Sequence, residues 1–333
     1  MESYADRVLR LTVRLEQLTK SASRDTRRIL RKMQKEVLGA LLANNIDTKK
    51  VLGRVRREVR DISIARYAEI DEILFNHESM TAQAAHQVEI RSYAALADVG
   101  KIFVEMRDIE KIVADAFDII MPGLGGRQTT VKDMLKRFGA NSTGDMMNIA
   151  TRAYIEGLPV SAITQMVRDS TELQERQAEA VARTAIQATA NQARQDVADN
   201  LPVDKEIWMA TLDSSTCQFC QGLDGKCKPK GTFPRLAHPN CRCVRLYVPD
   251  DRSCKQVKAD LTRVQRGPDD RSEPLNKYKT FGEWILTQPV AFQKEVLGVE
   301  RSQLLREGKV QFDKMYTASG KRKTVADIKK HYL

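Results

Sequence analysis

Apolar and charged positions in the first part of the chain follow the period of an amphipathic helix. Between residues 1 and 45 the apolar residues recur mostly at steps of three or four, which places them on one helix face. They are Val8, Leu11, Leu15, Leu18, Ala22, Ile29, Met33, Val37 and Leu41. The pattern pauses at Asn44, after which Asp47 or Thr48 is suited to cap a second helix that continues to Leu74.

A helix with a single apolar stripe must bury that stripe, either inside its own chain or on a partner. An internal helical bundle is one alternative for residues 1–75. We favour docking on a partner, because long, strongly charged helices with few aromatic residues suit partner grooves. The sequence therefore predicts a helical docking region over residues 1–125.

Further helices are predicted in the following part of the chain, and glycine and proline separate several of them. Met121 to Gly126 breaks the pattern, and it is no convincing phosphate-binding loop because a helical segment precedes it. Gly157-Leu158-Pro159 marks a second break, and Pro202 ends the last helix. The predicted helical stretches are 81–99, 101–117, 130–137, 143–156, 160–167 and 172–200.

After Pro202 the pattern changes from helical to β-prone. Residues 207–212 and 244–248 are rich in β-branched and aromatic side chains, so they are expected to pair as strands. A charged linker is predicted over residues 250–274. Helices then follow near residues 280–286, 290–306 and 325–332. The fold class is thus mainly α with a small α+β unit resembling a β-hairpin.

Composition fits a protein of two or three folded domains, since the chain has 333 residues and is 42% hydrophobic. The sequence has no apolar run long enough to span a membrane, and its first residues lack the basic and then apolar segments of a signal peptide. A membrane-spanning or secreted protein is therefore not expected. Both ends are basic, with 16 basic and 7 acidic residues in 1–60 and 18 against 11 in 251–333. Basic ends suit a polyanion such as nucleic acid, and a solvated charged face is the alternative.

All six cysteines lie between Cys217 and Cys254, and five of them share a 27-residue stretch with one histidine. The Cys217-x-x-Cys220 motif and the stretch from His238 to Cys243 are two tight turns, here called the first and second knuckle. Together they can supply the four ligands of a tetrahedral zinc site. The expected ligands are Cys217, Cys220 and His238 with either Cys241 or Cys243, and Cys227 is the reserve. Buried thiols or disulfides are the alternative. The prediction is one structural zinc ion per chain.

Other candidate residues have simpler explanations than catalysis. A redox role for the Cys217-x-x-Cys220 pair lacks the thioredoxin-like context. Asp213 and Asp224 are suited to capping turns, and the isolated histidines, His77, His86 and His331, are not expected to be ligands. The sequence presents no catalytic set, so an enzyme is not predicted.

The pattern around the cysteines resembles phage head morphogenesis proteins, the minor head proteins similar to the F protein of phage Mu. The resemblance is carried by Trp208, Asp213, Thr216, Cys217-x-x-Cys220, Leu223-Asp224-Gly225-Lys226 and His238-Pro239-Asn240-Cys241-Arg242-Cys243. Ala182-Arg183-Thr184 and Asn191 upstream also resemble the family, as does Phe281-x-x-Trp284 downstream. The resemblance extends over roughly residues 145–333. We therefore divide this part of the chain into a head-morphogenesis domain over residues 126–250 and a basic C-terminal segment, a linker followed by helices, over residues 251–333.

The resemblance implies a minor virion structural protein of a tailed phage that acts in head assembly and in genome packaging or delivery. Its implied partners are the portal protein, in several copies around the ring, with the major capsid protein and packaged double-stranded DNA as further candidates. Its implied location is the head interior or head-tail vertex, after assembly in the host cytoplasm. The alternatives are a zinc-stabilised DNA-binding protein without sequence specificity and, less favoured, a toxin-like enzyme.

Overall fold

The computed structural model describes residues 4–44, 46, 48–97, 99, 102–122, 127–269, 272–275 and 277–332. A helical bundle is followed by a small sheet and a C-terminal helical unit. The helices are α1 (Tyr4–Leu42), α2 (Lys49–Leu96), α3 (Ile109–Phe117), α4 (Val131–Glu156), α5 (Val160–Asp199), α6 (Gln218–Leu223), α7 (Cys254–Ala259), α8 (Phe281–Ile285), α9 (Val290–Leu297), α10 (Val299–Arg306) and α11 (Val325–Tyr332). The strands are β1 (Met121–Pro122), β2 (Gln128–Thr129), β3 (Val203–Met209), β4 (Cys227–Pro229), β5 (Val244–Pro249), β6 (Val264–Arg266) and β7 (Ser272–Pro274).

From Leu11 onward, the apolar stripe of α1 is buried against α2 and α5 of the same chain. Leu30, Met33 and Val37 have no exposed surface, and they share one hydrophobic core with residues of α4 and α5 as far as Ala193. The stripe therefore closes internally, and the favoured docking of this stripe on a partner is wrong. A contact between α1 and another protein must use its outer, charged face.

The predicted start of the second helix is confirmed at Thr48, whose Oγ1 accepts a hydrogen bond from the amide of Val51 at 3.2 Å. Asp47, the other candidate cap, lies outside the described residues. The helix then continues without a break to Leu96, so the separate helix expected from residue 81 is part of α2. Residues 102–108 are not helical, and the helix predicted over 101–117 is confirmed only from Ile109.

The later predicted helices are also fewer and longer in the structure. Residues 130–156 form one helix where two were expected, and residues 160–199 form another. The break between them is confirmed at Gly157, which ends α4 in the left-handed conformation with φ 59°. The break predicted within Met121 to Gly126 falls partly on residues 123–126, which lie outside the described residues.

The strand pairing predicted across the cysteine-rich segment is confirmed. β3 and β5 are antiparallel, with Ile207 opposite Leu246, and β4 pairs with the other edge of β3. The unit is thus a three-stranded sheet rather than a simple hairpin. Its apolar residues pack partly on α5, which places the cysteine-rich loops against the helical bundle.

Buried ion pairs reinforce the packing of α5. The Arg194 guanidinium lies 2.5 Å from a carboxylate oxygen of Glu89 on α2, and both side chains are buried. Near them, Gln195 accepts a hydrogen bond from the hydroxyl of Tyr247 on β5 at 2.9 Å. Charged side chains at these depths require partners, so these contacts fix α5 relative to both α2 and the sheet.

The segment predicted as a linker is partly ordered secondary structure, because residues 250–274 contain α7 and the β6–β7 pair. The C-terminal helices that follow enclose their own core around Trp284, whose ring contacts those of Phe281 and Phe292. The predicted helix over 290–306 is divided at Gly298, where φ is 85°. Among the described helices, none has the length and apolar character needed to cross a membrane.

Candidate metal centre

The first cysteine knuckle forms the start of the short helix α6. Cys217 occupies the position before the helix, and its Sγ accepts a hydrogen bond from the amide of Cys220 at 3.4 Å. This arrangement turns both sulfur atoms toward the same side. A Cys-x-x-Cys turn of this kind is the usual way in which two thiolates are offered to one ion.

The second knuckle is a turn from His238 to Cys243 that rests on α5. Asn240 adopts φ 62°, a left-handed conformation that asparagine tolerates better than most residues. Its amide donates a hydrogen bond to the Thr184 hydroxyl at 2.8 Å. The sharp turn brings Cys241 back toward the first knuckle.

The two knuckles bring nitrogen and sulfur atoms to the separations expected around one ion. His238 Nε2 lies 3.1 Å from Cys217 Sγ and 3.6 Å from Cys220 Sγ. Cys220 Sγ lies 3.9 Å from Cys241 Sγ. Tetrahedral ligands at the zinc–sulfur distance of about 2.3 Å lie about 3.8 Å apart, so the donor set fits this geometry. Cys243 also belongs to the cluster, with its sulfur within 4.8 Å of those of Cys220 and Cys241.

The imidazole of His238 is oriented by a neighbouring carbonyl. Its Nδ1 lies 2.7 Å from the Pro239 carbonyl oxygen, and an N–H at Nδ1 can donate to it. That tautomer leaves the lone pair of Nε2 directed at the sulfur atoms. Metal-binding histidines are commonly held in this way by a hydrogen bond at the other ring nitrogen.

Electrostatic interactions within the cluster favour thiolates at Cys217 and Cys241. In contrast, hydrogen bonds with neighbouring cysteines and burial raise the pKa of Cys220 and Cys243. The hydrogen bond with Cys220 and then the contact with His238 lower the pKa of Cys217 to about 4, although burial opposes this. The pKa of Cys241 is lowered well below its usual value, first by Cys220 and then by Cys243, against the effect of burial. Burial acts to lower the pKa of His238, but the contacts with Cys217 and Cys241 raise it to about 11. A cation is therefore favoured among these sulfurs, as a metal site requires.

Cys227 does not belong to this cluster. It forms a disulfide with Cys254, with the two Cα atoms 6.3 Å apart, and so joins β4 to the start of α7. The predicted role of Cys227 as reserve ligand is therefore wrong. Spacing along the chain cannot reveal this pairing, because connectivity depends on how the chain folds.

Polar side chains on the buried face of α5 form hydrogen bonds with the second knuckle and with the segment that precedes it. Gln187 donates to the Cys243 carbonyl at 3.2 Å, and Asn191 donates to the Arg235 carbonyl at 2.7 Å. Thr184 and Asn191 fall within the family resemblance, whereas Gln187 was missed. An indication was available, because a polar residue in an alanine-rich helical stretch needs a partner if it is buried.

The other candidate residues do not form a second centre. Asp213 binds the guanidinium of Arg242, with one contact at 2.9 Å, and Asp224 binds that of Arg263, so each carboxylate is paired with an arginine. His77 lies 3.2 Å from a carboxylate oxygen of Asp25. Across the described part of the chain, groups of three or more residues suited to a metal occur only in the Cys217 to Cys243 cluster.

Comparison with known proteins agrees with the motif. Residues 145–246 match the family described as phage Mu protein F like protein. Over 158 residues the chain is 28% identical to the NAD(+)--arginine ADP-ribosyltransferase EFV of Enterococcus faecalis (strain ATCC 700802 / V583). This match covers 41% of the chain but only 30% of that enzyme. No solved structure matches the chain. Residues 145–246, which include the whole Cys217 to Cys243 cluster, therefore form a domain similar to the phage Mu protein F like family of head morphogenesis proteins.

Proposed function

We propose that this protein is a minor structural component of a tailed-phage virion, located at the portal vertex of the head. Its role is in head assembly and in packaging or delivery of the genome. The observation that supports this function is the enclosed Cys and His cluster inside a phage Mu protein F like domain. Assembly takes place in the host cytoplasm, with the portal protein as the main partner and the major capsid protein as a further one.

The cluster holds one structural zinc ion. Cys217, Cys220 and His238 supply three ligands, and Cys241 or Cys243 supplies the fourth. The ion crosslinks the start of α6 to the turn that rests on α5. Because four protein ligands saturate a tetrahedral ion, no position remains for a reacting water, and the role is stability rather than catalysis. The activity in the name of the Enterococcus faecalis relative is not part of this proposal, since the match covers 30% of that protein.

Elemental analysis of the purified chain tests the zinc assignment, with about one zinc per chain as the expected result. A chelator should lower the melting temperature, and zinc should restore it. The Cys217→Ser variant should lose the metal, whereas Ser215→Ala, a nearby change outside the ligand set, should retain it. Metal-free protein that melts identically with and without chelator would refute the assignment.

The virion assignment is tested in particles. Purified heads should contain the protein in small, fixed stoichiometry, and it should co-purify with the portal protein when the two are expressed together. The control is co-expression with the major capsid protein alone, which should retain less of it. Complete absence from mature and immature heads would contradict the virion role. Presence in heads without affinity for portal would contradict only the vertex location.

A further inference from the structure

The outer face of α1 carries a concentration of positive charge that the proposed structural role does not use. Opposite the buried stripe, seven basic side chains line an open groove of about 930 Å³, with Glu179 of α5 at its border. We call them the basic face: Lys20, Arg24, Arg27, Arg28, Arg31, Lys32 and Lys35. All except Arg27 are exposed.

Carboxylates of the chain compensate only part of this charge. Arg31 pairs with Glu175 at 2.8 Å, and Lys32 lies 3.6 Å from Glu69. Lys20, Arg28 and Lys35 form no ion pair within the described residues. Nothing in the described structure therefore neutralises these three exposed cations.

The sequence of α1 keeps acidic groups away from this face. Asp25 is the only acidic residue between Lys20 and Lys35. One of its carboxylate oxygens lies 3.2 Å from His77 Nε2 on α2, and the other lies 3.8 Å from Arg24. The contact with His77 directs Asp25 toward the helix interface. The carboxylate of Asp25 therefore lies beside the groove and not among the basic side chains that line it.

The dimensions of the basic face match a nucleic-acid backbone. Lys35 follows Lys20 by fifteen residue steps along the helix, which corresponds to about 22 Å along the axis. Phosphates of one DNA strand repeat every ~3.4 Å, so this length passes several of them. The helix is anchored by its buried stripe, and its charged side therefore stays directed outward.

We propose that the basic face of α1 binds the phosphate backbone of duplex DNA without preference for base sequence. Lysine and arginine neutralise phosphates and release counterions, which provides affinity but no base readout. None of the residues of the basic face belongs to the Cys217 to Cys243 cluster. The polyanion binding that the basic ends of the chain suggest is thereby assigned to one surface of the N-terminal part.

The test measures binding of a fluorescently labelled, mixed-sequence duplex to the full chain by anisotropy across a range of salt concentrations. The test variant is Lys20→Glu, Arg28→Glu and Lys35→Glu combined. The matched control is Lys255→Glu, Lys294→Glu and Lys330→Glu combined, which makes the same change in net charge at exposed sites elsewhere. Circular dichroism checks that both variants fold.

The test variant should bind at least about tenfold more weakly than wild type, and the slope of log affinity against log salt should shrink by roughly 2 to 3. The control should retain most of the affinity and nearly the full slope. Equal losses in both variants would overturn the proposal, since net charge alone would then explain binding. No binding by wild type, a strong preference among duplex sequences, or tighter binding of polyglutamate than of DNA would each overturn it as well.

Discussion

Arg263 and Asp224 form a buried, two-point ion pair between the linker and the cysteine-rich unit. Two guanidinium nitrogens of Arg263 lie 2.7 and 2.9 Å from the carboxylate oxygens of Asp224. Their side chains are only 2% and 1% exposed. Asp224 also accepts hydrogen bonds from the amides of Ala210 at 2.7 Å and Phe281 at 2.6 Å. One carboxylate therefore joins the end of β3, the linker and the first turn of α8.

The Asp224→Asn variant should lose about 3 to 5 kcal/mol of unfolding free energy, because it leaves the Arg263 charge buried without its counterion. Denaturant melts measure this loss. The matched control is Asp204→Asn, whose carboxylate pairs with Lys205 at 2.7 Å on the exposed surface. That change should cost less than about 1 kcal/mol. Equal, small losses in the two variants would show that the buried pair is not a main contributor to stability.

The position of Asp224 illustrates what sequence reasoning can and cannot reach. The Asp224-Gly225 dipeptide was explained as a turn, and Gly225 does adopt φ 72° there. The buried pairing was missed because Arg263 lies 39 residues further along the chain. No local spacing connects two such residues. In contrast, Cys217, Cys220, His238 and Cys241 were recognised, because tight turns place metal ligands at short, characteristic separations.

The choice between Cys241 and Cys243 can be resolved by substitution. We expect Cys241 to be the ligand, because its sulfur lies 3.9 Å from that of Cys220 and its side chain also interacts with His238. Cys241→Ser should therefore abolish stoichiometric metal binding, while Cys243→Ser should retain about one ion per chain. Metal content and chelator competition measure the difference. The reverse pattern would assign the fourth position to Cys243.

The Cys227–Cys254 disulfide should stabilise the chain independently of the metal. The two cysteines are separated by 27 residues, and closing a loop of this length corresponds to about 3 to 4 kcal/mol in the chain-entropy model. The Cys227→Ser, Cys254→Ser double variant should lose about this much unfolding free energy and keep its metal. Reducing agent should lower the stability of wild type toward that of the double variant.

Reducing agent should leave the double variant unchanged, which distinguishes this disulfide from effects on the metal-binding thiols. If wild type and double variant unfold at the same denaturant concentration under oxidising conditions, the disulfide does not contribute as expected. A loss of metal in the double variant would instead indicate that Cys227 and the cluster are coupled.

The predicted helix boundaries within α4 and α5 were wrong for a different reason from the missed Asp224–Arg263 pair. The sequence predicts separate helices on either side of residues 138–142, where Gly139 and Asn141 weaken helix propensity. Packing overrides this preference, because Phe138 in this stretch is buried and its ring contacts the ring of Tyr67 on α2, with the ring centroids 5.4 Å apart. Likewise, Val167 and Thr171, at the junction of the two helices predicted over 160–167 and 172–200, are buried in the packed face of α5. Such tertiary compensation lies outside any local pattern.

Glu78, in the middle of α2, gives the chain a pH dependence that can be tested. Its side chain is fully buried, and neither carboxylate oxygen has a hydrogen-bond partner among the described residues. Burial, together with the negative charge of Asp71, raises the pKa of Glu78 well above its ordinary value. In the folded chain the carboxyl therefore keeps its proton to a higher pH than in the unfolded chain.

The sign of the effect follows from this difference. Below about pH 4, both states are protonated, and the raised pKa contributes its full stability. As the pH rises through the pKa of the folded state, the unfolded state becomes more stable relative to the folded state, and that contribution to the unfolding free energy is lost. The Glu78→Gln variant has no such proton, so its unfolding free energy should rise relative to that of wild type as the pH increases from about 5 to about 7. Urea melts at both pH values measure the change.

The control is Glu72→Gln, at an exposed position on the same helix, whose unfolding free energy should change with pH in parallel with that of wild type. Parallel curves for Glu78→Gln as well would mean that Glu78 titrates alike in the folded and unfolded chains, and the pH dependence would then have to come from other groups.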